Sequence, residues 1–260
     1  MAYLISITNE KGGVAKTTTA LSFGAALVES GKSVLLVDLD PQANLTLAMG
    51  FDPVKAQHTV VQALLENKPV QELWVETGIP GLYLLPANHD IGYVERLLPA
   101  RSGYEFGLKS SFSQADIPFD FVIFDCPPFL GSIVLNAITA SDLLLIPTQA
   151  EYFSIYALKN MMALIRRVRA QINPNLKYRL LLTLYDRRNR IHRTLNEQLR
   201  TSFNGGVLDT VIMVDTRLRE SSIAGLPIIY HAPKSRSALQ YRELAQEILQ
   251  YVEKTIAQPA

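Results

Sequence analysis

Seven apolar runs of five to nine residues recur along the chain and alternate with longer segments of helical pattern. Most of them are apolar at successive positions, which is typical of strands buried on both faces of a sheet. Such strands alternating with helices predict an α/β fold with a doubly wound, mostly parallel sheet flanked by helices. The runs are 4–8, 33–38, 82–86, 119–125, 143–147, 177–185 and 207–212, and the helical segments lie at about 17–30, 59–67, 90–98, 131–140, 155–171, 189–202 and 237–255.

The length of the chain favours one large domain. With 260 residues, 48% of them hydrophobic and 19% charged, the chain can bury a full core. Because no repeat or linker rich in Pro or Gly divides it, we expect a single domain spanning residues 1–260. The lone Cys126 excludes an internal disulfide and a Cys-rich metal site, which favours a cytoplasmic setting. No signal peptide pattern and no apolar run of about 18 residues is present, so we expect no membrane association.

The stretch TNEKGGVAKTTTA, residues 8–20, separates the first apolar run from the first helical segment. A strand, a glycine-rich turn and a helix in this order are the context of a phosphate-binding loop. Gly12 and Gly13 can direct backbone N–H groups at phosphate oxygens, and the helix N-terminus adds its positive dipole. We expect Lys16 to contact the β- and γ-phosphates and the Thr17 hydroxyl to ligate Mg²⁺.

This loop departs from the usual G-x-x-x-x-G-K-[ST] pattern. Glu10 stands where the first glycine belongs, Ala15 stands directly before Lys16, and a second lysine, Lys11, precedes the glycines. If the backbone at Ala15 requires a positive φ, its Cβ costs about 1–2 kcal/mol. Two outcomes stay open: the loop avoids that region, or nucleotide binding is weakened.

Aspartates follow two of the apolar runs at their carboxyl ends. Asp38 and Asp40 come after the second run, and Asp125 comes after the fourth. Carboxylates at the carboxyl ends of neighbouring parallel strands converge on a phosphate loop, where they can hold Mg²⁺ through its waters and orient an attacking water. The pattern predicts a nucleotide hydrolase.

Together these motifs resemble the ParA family of deviant Walker A ATPases. The segments that carry the resemblance are KGGVAKTT, VLLVDLDPQAN, FDFVIFDCPP, LTLYD, TRLRES, GLPIIY and ALQYRELAQEIL, which span nearly the whole chain in the family's order. The resemblance implies ATP and Mg²⁺ as cofactors and a homodimer that forms with ATP. In that dimer Lys11 would reach the partner's phosphates, Asp40 would orient the hydrolytic water, and Asp38 and Asp125 would support Mg²⁺. The implied cofactor-binding residues are Lys11, Gly12, Gly13, Val14, Ala15, Lys16, Thr17, Thr18 and Asp186.

The C-terminal half of the chain is basic. Residues 1–130 contain 8 Lys and Arg against 14 Asp and Glu, whereas residues 131–260 contain 17 against 10. The segment 186–200 alone holds five arginines, which suit salt-sensitive contacts to a phosphate backbone. The family's DNA-contacting arginines match Arg188 and Arg217. The full predicted DNA surface is Arg187, Arg188, Arg217, Arg219, Lys234 and Arg236, and a solvated helix face remains the alternative for Arg187, Arg190, Arg193 and Arg200.

By this resemblance the protein works through a cycle. ATP-driven dimerisation creates a surface for nonspecific double-stranded DNA, and a ParB-like or equivalent adaptor on the cargo stimulates an intrinsically slow ATPase. The cargo is a plasmid, a chromosome region or a carboxysome-like compartment, and the expected location is the nucleoid in the cytoplasm.

Three other classes stay open, and one of them is a nucleotide-switch binding module in which Ala15 and Glu10 make hydrolysis negligible. A MinD-like positioning ATPase needs an amphipathic membrane helix, but the chain's last helical segment carries Glu243, Glu247 and Glu253 against Lys254, a poor match to an anionic bilayer. A P-loop small-molecule kinase or ligase would leave Lys11 without a role, would need an acceptor for turnover, and would ignore DNA.

Overall fold

The computed structural model describes residues 2–66, 68–113 and 117–257. Its strands are β1 (Tyr3–Ile7), β2 (Val34–Asp38), β3 (Val75–Glu76), β4 (Leu82–Leu85), β5 (Phe121–Asp125), β6 (Leu143–Gln149), β7 (Lys177–Tyr185) and β8 (Val207–Met213). They form one sheet in the order β3-β4-β2-β5-β1-β6-β7-β8. All neighbours pair in parallel except β3, which is antiparallel to β4. The seven predicted strands are confirmed, and β3 is an additional edge strand.

Helices cover both faces of this sheet. They are α1 (Lys16–Glu29), α2 (Asn44–Ala48), α3 (Val60–Glu66), α4 (Ile91–Leu97), α5 (Gly107–Ser113), α6 (Ser132–Ala140), α7 (Tyr152–Gln171), α8 (Arg190–Ser202), α9 (Arg217–Ile223), α10 (Ile228–His231) and α11 (Arg236–Ala257). Each predicted helical segment overlaps one of them, although residue 67 of the predicted segment 59–67 lies outside the described residues. The short helices α2, α5, α9 and α10 were not predicted.

Successive residues of the central strands face opposite hydrophobic clusters. In β2, Leu35 and Val37 pack with the cluster that includes α3 to α8, whereas Val34 and Leu36 pack with the cluster that includes α1, α2 and α9 to α11. Every residue of β2 and β5 is buried. The predicted doubly wound α/β fold is therefore confirmed, because a strand apolar at each position is covered on both faces.

Helix α1 lies unusually close to the sheet. A Cβ built on Gly24 would come within 2.8 Å of Leu36 Cδ2, so only glycine lets the helix approach β2 without moving that side chain. On its other side α1 contacts α11, where the Thr19 and Tyr241 hydroxyls lie 3.2 Å apart. Packing on both sides fixes α1, and with it the loop that precedes its first residue.

The functional edge of the sheet follows from strand order. Strand β1 lies between β5 and β6, so the chain builds one half of the sheet on each side of β1. In an open α/β sheet, ligands bind beyond the carboxyl ends of the strands at such a switch point. The last residues of β2 and β5, Asp38 and Asp125, are register partners there.

None of the described helices combines the length and the apolar character needed to cross a bilayer. The apolar residues of α11 are occupied within the fold, because Tyr241, Leu244 and Ile248 are completely buried in the cluster that also contains α1. That helix does not offer these residues to a membrane surface.

Candidate functional site

The loop between β1 and α1 uses left-handed backbone at two positions. Gly13 has φ 73° and Ala15 has φ 65°. The loop therefore does not avoid the region in which a Cβ is strained, and Ala15 adopts it without being glycine. Ala15 is the N-cap residue of α1, and no side chain caps that helix end. Its first N–H groups thus lack intrahelical acceptors and can bind an anion.

Two side-chain contacts fix this loop to neighbouring strands, and a third lies within the loop. Asn9 Nδ2 donates to the Pro147 carbonyl at 2.8 Å, and Asn9 Oδ1 accepts from the Lys11 N–H at 2.9 Å. The Thr183 hydroxyl of β7 donates to the Val14 carbonyl at 3.0 Å. Sequence reasoning missed both residues. An Asn directly after a strand favours a local Asx turn and could have indicated Asn9, whereas nothing in the sequence marks Thr183.

A cavity of about 450 Å³ opens beside the loop, within the usual size range of ligand pockets. Its lining residues are Gly12, Gly13, Ala15, Lys16, Thr17, Thr18, Asp40, Asn44, Leu47, Ala48, Pro128 and Ser222. Most of the predicted cofactor-binding residues are therefore together. Val14 is buried behind the loop, and Lys11 and Asp186 are not in the lining. The last five lining residues were not predicted.

Lys16 lies at the base of the loop and is 8% exposed. Its Nζ donates to the Lys11 carbonyl at 3.3 Å. Burial lowers the pKa of Lys16, and the nearby Asp125 and Asp40 carboxylates partly oppose that shift. The ammonium group is therefore poorly solvated, and phosphate oxygens would provide the acceptors that it lacks.

Asp38 is completely buried, and its carboxylate is fully used within the protein. It accepts hydrogen bonds from the Thr46 N–H at 2.9 Å, the Thr46 hydroxyl at 2.7 Å and the Asp40 N–H at 3.1 Å. Burial raises the pKa of Asp38 to about 6, although these bonds favour the charged form. Asp38 thus fixes the loop after β2, which carries Asp40, and does not itself line the cavity.

Asp125 has the opposite environment. Both of its carboxylate oxygens are buried without a hydrogen bond in the described part of the chain. Burial and then the neighbouring Asp38 charge raise the pKa of Asp125 well above its usual range, and the nearby Thr17 hydroxyl partly offsets this. A buried carboxylate with free oxygens beside a hydroxyl fits a Mg²⁺ ion or its waters.

Protein side chains supply few other metal ligands. Within the described ranges, no group of three or more His, Cys, Asp or Glu residues converges as a metal site. This agrees with Mg²⁺, which is commonly held by one or two carboxylates together with water and phosphate oxygens. Thr17 and Asp125 are the residues that could hold it.

Asp40 is the one predicted carboxylate that lines the cavity. It is 8% exposed, and its Oδ1 accepts the Gln42 N–H at 2.9 Å. No described residue donates a hydrogen bond to the other oxygen, Oδ2. This carboxylate can therefore accept a proton or a hydrogen bond from a water in the cavity.

Lys11 does not line the cavity, and its side chain is bonded within the protein. Its Nζ donates to Gln149 Oε1 at 2.8 Å, Glu151 Oε2 at 2.6 Å and the Ser154 hydroxyl at 3.0 Å, all of the same chain. These residues come from the end of β6 and the start of α7. Sequence reasoning did not identify them, although Gln149 and Glu151 follow a strand at the carboxyl edge where ligand-binding residues gather.

The predicted DNA-contacting residues lie along the same edge of the sheet, and we call them the basic edge. Its members, all exposed, are Arg187 and Arg188 after β7, Arg217 and Arg219 in α9 after β8, and Lys234 and Arg236 at the start of α11. Strands β7 and β8 are parallel neighbours. Arg236 donates to the Val214 carbonyl, which ties α11 to the loop after β8. The fold thus brings together three segments that are distant in sequence.

Asp186 belongs to this edge rather than to the cavity. Its carboxylate accepts from Arg188 Nε at 3.1 Å and Nη2 at 2.9 Å. The Arg188 side chain and backbone lower the pKa of Asp186 to about 2. The prediction that Asp186 contacts the nucleotide therefore gains no support from its position.

Fold and site define a P-loop nucleotide-binding protein with a second lysine in its loop. A model of the AAA domain family matches residues 2–178. The chromosome partitioning protein ParA of Caulobacter vibrioides is 35% identical over 249 residues, which cover 95% of this chain and 93% of that protein. The sporulation initiation inhibitor protein Soj of Bacillus subtilis is 36% identical over 249 residues, covering 95% and 98%. The chain belongs to the ParA family of P-loop ATPases.

Solved structures of nucleotide-bound proteins share this fold. A Mycobacterium smegmatis protein described as cobyrinic acid a,c-diamide synthase, with bound ADP and magnesium, superposes with a TM-score of 0.85 at 37% identity, covering 97% of this chain and 96% of that one. The ATP complex of Cyanothece McdA superposes with a TM-score of 0.86 at 19% identity, covering 96% of each chain. The second likeness supports the fold alone.

Proposed function

We propose that this protein is an ATP-dependent, dimerising ATPase that binds nonspecific duplex DNA and partitions or positions a cargo with a partner that stimulates hydrolysis. The observation that carries the proposal is that a phosphate cavity and the basic edge occupy one edge of the sheet. The whole chain, 1–260, acts as a single domain in this proposal, on the nucleoid in the cytoplasm. ATP and Mg²⁺ are its cofactors.

The nucleotide chemistry rests on residues of the cavity. Lys16 and the N-terminal N–H groups of α1 bind the phosphates, and Thr17 and Asp125 hold the cation shell. Asp40 orients the attacking water. Bound Mg²⁺ neutralises charge on the β- and γ-phosphates. Lys11 contributes its positive charge to the phosphates of a second subunit, so catalysis is completed only in the dimer. Turnover of the unstimulated protein is slow.

DNA binding is coupled to the nucleotide through one short helix in this proposal. Ser222 of α9 lines the cavity, whereas Arg217 and Arg219 lie at the exposed N-terminal end of the same helix. A change in the phosphates bound in the cavity can therefore move α9 and displace two of the six residues of the basic edge. Contacts of this kind bind the phosphate backbone without reading the base sequence.

The cargo is inferred from relatives. ParA of Caulobacter vibrioides and of Myxococcus xanthus are described as chromosome partitioning proteins, at 35% and 36% identity. We therefore favour a chromosome or plasmid region as the cargo over a protein compartment, and a DNA-bound adaptor as the partner.

The decisive experiment measures binding to random-sequence duplex DNA with ATP, with ADP and without nucleotide, over a series of salt concentrations. The variants are Lys11→Ala and Arg217→Ala. The matched control is Arg166→Ala, which removes an exposed arginine from α7, away from the basic edge. We expect the parent and Arg166→Ala to bind only with ATP, with affinity that falls steeply as salt rises. We expect Lys11→Ala to lose binding and Arg217→Ala to bind more weakly than the parent. DNA binding that ignores the nucleotide, or that neither substitution changes, contradicts the proposal.

The ligase alternative has one observation in its favour, the description of the 37%-identical Mycobacterium smegmatis structure as cobyrinic acid a,c-diamide synthase. It predicts ATP turnover that depends on a corrinoid acid and an amide donor. The same protein preparation can be tested with cobyrinic acid and glutamine, and turnover that needs this acceptor and ignores DNA supports a ligase instead.

A further inference from the structure

The Lys11 ammonium group has no free donor in this structure. A lysine side chain has three N–H donors, and Lys11 Nζ makes three hydrogen bonds, to Gln149, Glu151 and Ser154. We call these three residues the Lys11 acceptor set. A lysine bound in this way cannot contact a phosphate without losing at least one of these bonds.

The Lys11 acceptor set is fixed to the phosphate loop itself. Gln149 accepts from Lys11 through Oε1 and donates through Nε2 to the Gly13 carbonyl at 3.2 Å. A second tie lies alongside, where Asn160 of α7 donates to Glu10 Oε2 at 2.9 Å. The loop and the start of α7 are therefore connected at several points, and Lys11 is held in a defined place rather than left mobile.

Glu151 is the charged member of the set and makes the shortest contact, 2.6 Å. Its side chain is 49% exposed and that of Lys11 is 26% exposed. An ion pair so open to water is weak, because water screens its charges. Such a pair can hold the lysine in the free subunit and still yield to the higher negative charge of a triphosphate.

We propose that Glu151 is a positioning residue that holds Lys11 within its own subunit and so opposes dimerisation until ATP is bound. This inference rests on the proposed function, in which Lys11 serves the phosphates of a second subunit. Formation of the dimer then exchanges the Glu151 carboxylate for the partner's phosphates, once in each subunit. A nucleotide with fewer negative charges than ATP displaces the Glu151 carboxylate from Lys11 less readily.

The first test is ATP-dependent dimerisation of Glu151→Gln, measured by sedimentation velocity against the parent and against Glu253→Gln, which neutralises an exposed carboxylate of α11. Glutamine preserves the size of the side chain and removes its charge. Loss of one exposed pair corresponds to about 1.4- to fivefold. Because two pairs open in each dimer, we expect Glu151→Gln to tighten the ATP dimer by about two- to twenty-fivefold and Glu253→Gln to leave it unchanged.

The second test does not depend on dimerisation. The rate of amine acylation at Lys11 is measured by mass spectrometry in the nucleotide-free protein, with Lys55, whose side chain is 84% exposed, as an internal reference. We expect Glu151→Gln to accelerate acylation of Lys11 by about 1.4- to fivefold and to leave Lys55 unchanged. Acylation of Lys11 at the parent rate overturns the positioning role.

The variant Lys11→Ala distinguishes failure of the proposed function from failure of the inference about Glu151. If Lys11→Ala dimerises with ATP as the parent does, the proposed role of Lys11 in the dimer is wrong, whatever Glu151 does. If Lys11→Ala abolishes dimerisation but Glu151→Gln leaves the dimer unchanged or weakens it, the proposed function stands and the inference about Glu151 is wrong.

Discussion

Ala15 is the residue at which the loop departs most clearly from ordinary backbone preferences. Its φ of 65° is in the left-handed region, and a glycine there would carry no Cβ. The strain at Ala15 is local, since it concerns the Cβ and the following carbonyl of one residue.

We expect Ala15→Gly to raise the free energy of unfolding by about 0.5–1 kcal/mol. Removal of the Cβ relieves about 1–2 kcal/mol of strain, and the greater freedom of glycine in the unfolded chain offsets about half of that. Urea denaturation of the nucleotide-free protein measures the change. The control Ala163→Gly, at an exposed interior position of α7, should lower the free energy of unfolding by about 1 kcal/mol. A change of the same sign in both variants contradicts the argument.

Two aspartates that look alike in the sequence should respond oppositely to the same substitution. Asp38 accepts three hydrogen bonds, whereas both oxygens of Asp125 are without one. We expect Asp38→Asn to lower the free energy of unfolding by about 1–3 kcal/mol, because an amide NH2 group cannot accept the hydrogen bonds that the carboxylate accepts. We expect Asp125→Asn to raise it by a similar amount, because an uncharged amide avoids the cost of a buried carboxylate beside Asp38. Urea denaturation without nucleotide measures both changes.

Removal of Mg²⁺ tests whether Asp125 belongs to the cation site. The melting temperature of the parent with ATP should fall when EDTA removes Mg²⁺, since a bound ligand stabilises only the folded state. In Asp125→Asn the melting temperature with ATP should no longer respond to EDTA. A full response in that variant would exclude Asp125 from the cation site.

At the scale of single elements, α1 is the helix on which the site depends. It carries Lys16 and Thr17 at its start and approaches β2 through Gly24. Both ends of α1 contact α11, the first through Tyr241 and the second through Arg242. The short helices are different, because pieces of four to seven residues such as α2 and α9 have too few turns to show a clear apolar period.

The close approach of α1 predicts different results for two helical glycines. We expect Gly24→Ala to destabilise the protein by about 1–3 kcal/mol, because the new methyl group would lie 2.8 Å from Leu36 Cδ2. The matched change Gly92→Ala in α4 meets no heavy atom within 4 Å and should stabilise by up to about 1 kcal/mol. Thermal unfolding of both variants tests this, and stabilisation by Gly24→Ala would show that α1 can move away from the sheet.

The ion pair between α1 and α11 predicts a dependence of stability on pH. Arg242 Nη2 lies 2.9 Å from Glu29 Oε1, and this arginine lowers the pKa of Glu29. A lowered folded-state pKa means that the contribution is present above the unfolded value of about 4.3 and is lost as pH falls through the folded value.

Glu29→Gln should therefore be less stable than the parent at pH 7, by up to about 1 kcal/mol after allowance for solvent screening. The difference should shrink as pH falls below about 4. Denaturation series at several pH values measure it, with Glu243→Gln, an exposed carboxylate of α11, as the control. A difference that stays constant down to low pH contradicts the ion pair as its cause.

At the scale of the whole molecule, the strand order separates acidic from basic side chains. The carboxylates that follow β2 and β5 lie on one side of β1, and the basic edge follows β7 and β8 on the other side. One edge of the molecule thus presents buried carboxylates on one side of β1 and exposed basic residues on the other.

This arrangement predicts how salt changes DNA affinity. Each phosphate contact contributes about −0.9 to the slope of log affinity against log salt concentration. If the loops after β7 and β8 bind the same DNA, the double variant Arg187→Ala with Arg217→Ala should reduce the slope by about 2, and each single variant by about 1. Fluorescence anisotropy with ATP measures the slopes. An unchanged slope in the double variant would place the DNA elsewhere on the protein.

The sequence by itself determined the strands, the long helices, the phosphate loop and the three aspartates. These features follow from local patterns: successive apolar residues for a strand covered on both faces, glycines and a lysine before a helix, and carboxylates at strand ends. The edge strand β3 has only two residues, which is too short to show a pattern.

Only the tertiary structure decided how these residues are used. Lys11 and Glu151 are 140 positions apart, and the contact of Thr183 with Val14 spans 169. The different environments of Asp38 and Asp125 are likewise set by burial and by the neighbours that surround each side chain in space. Residue type and local pattern place a group at the correct edge of the sheet, but its hydrogen-bond partners, and therefore its charge and its availability to a ligand, depend on packing between distant segments.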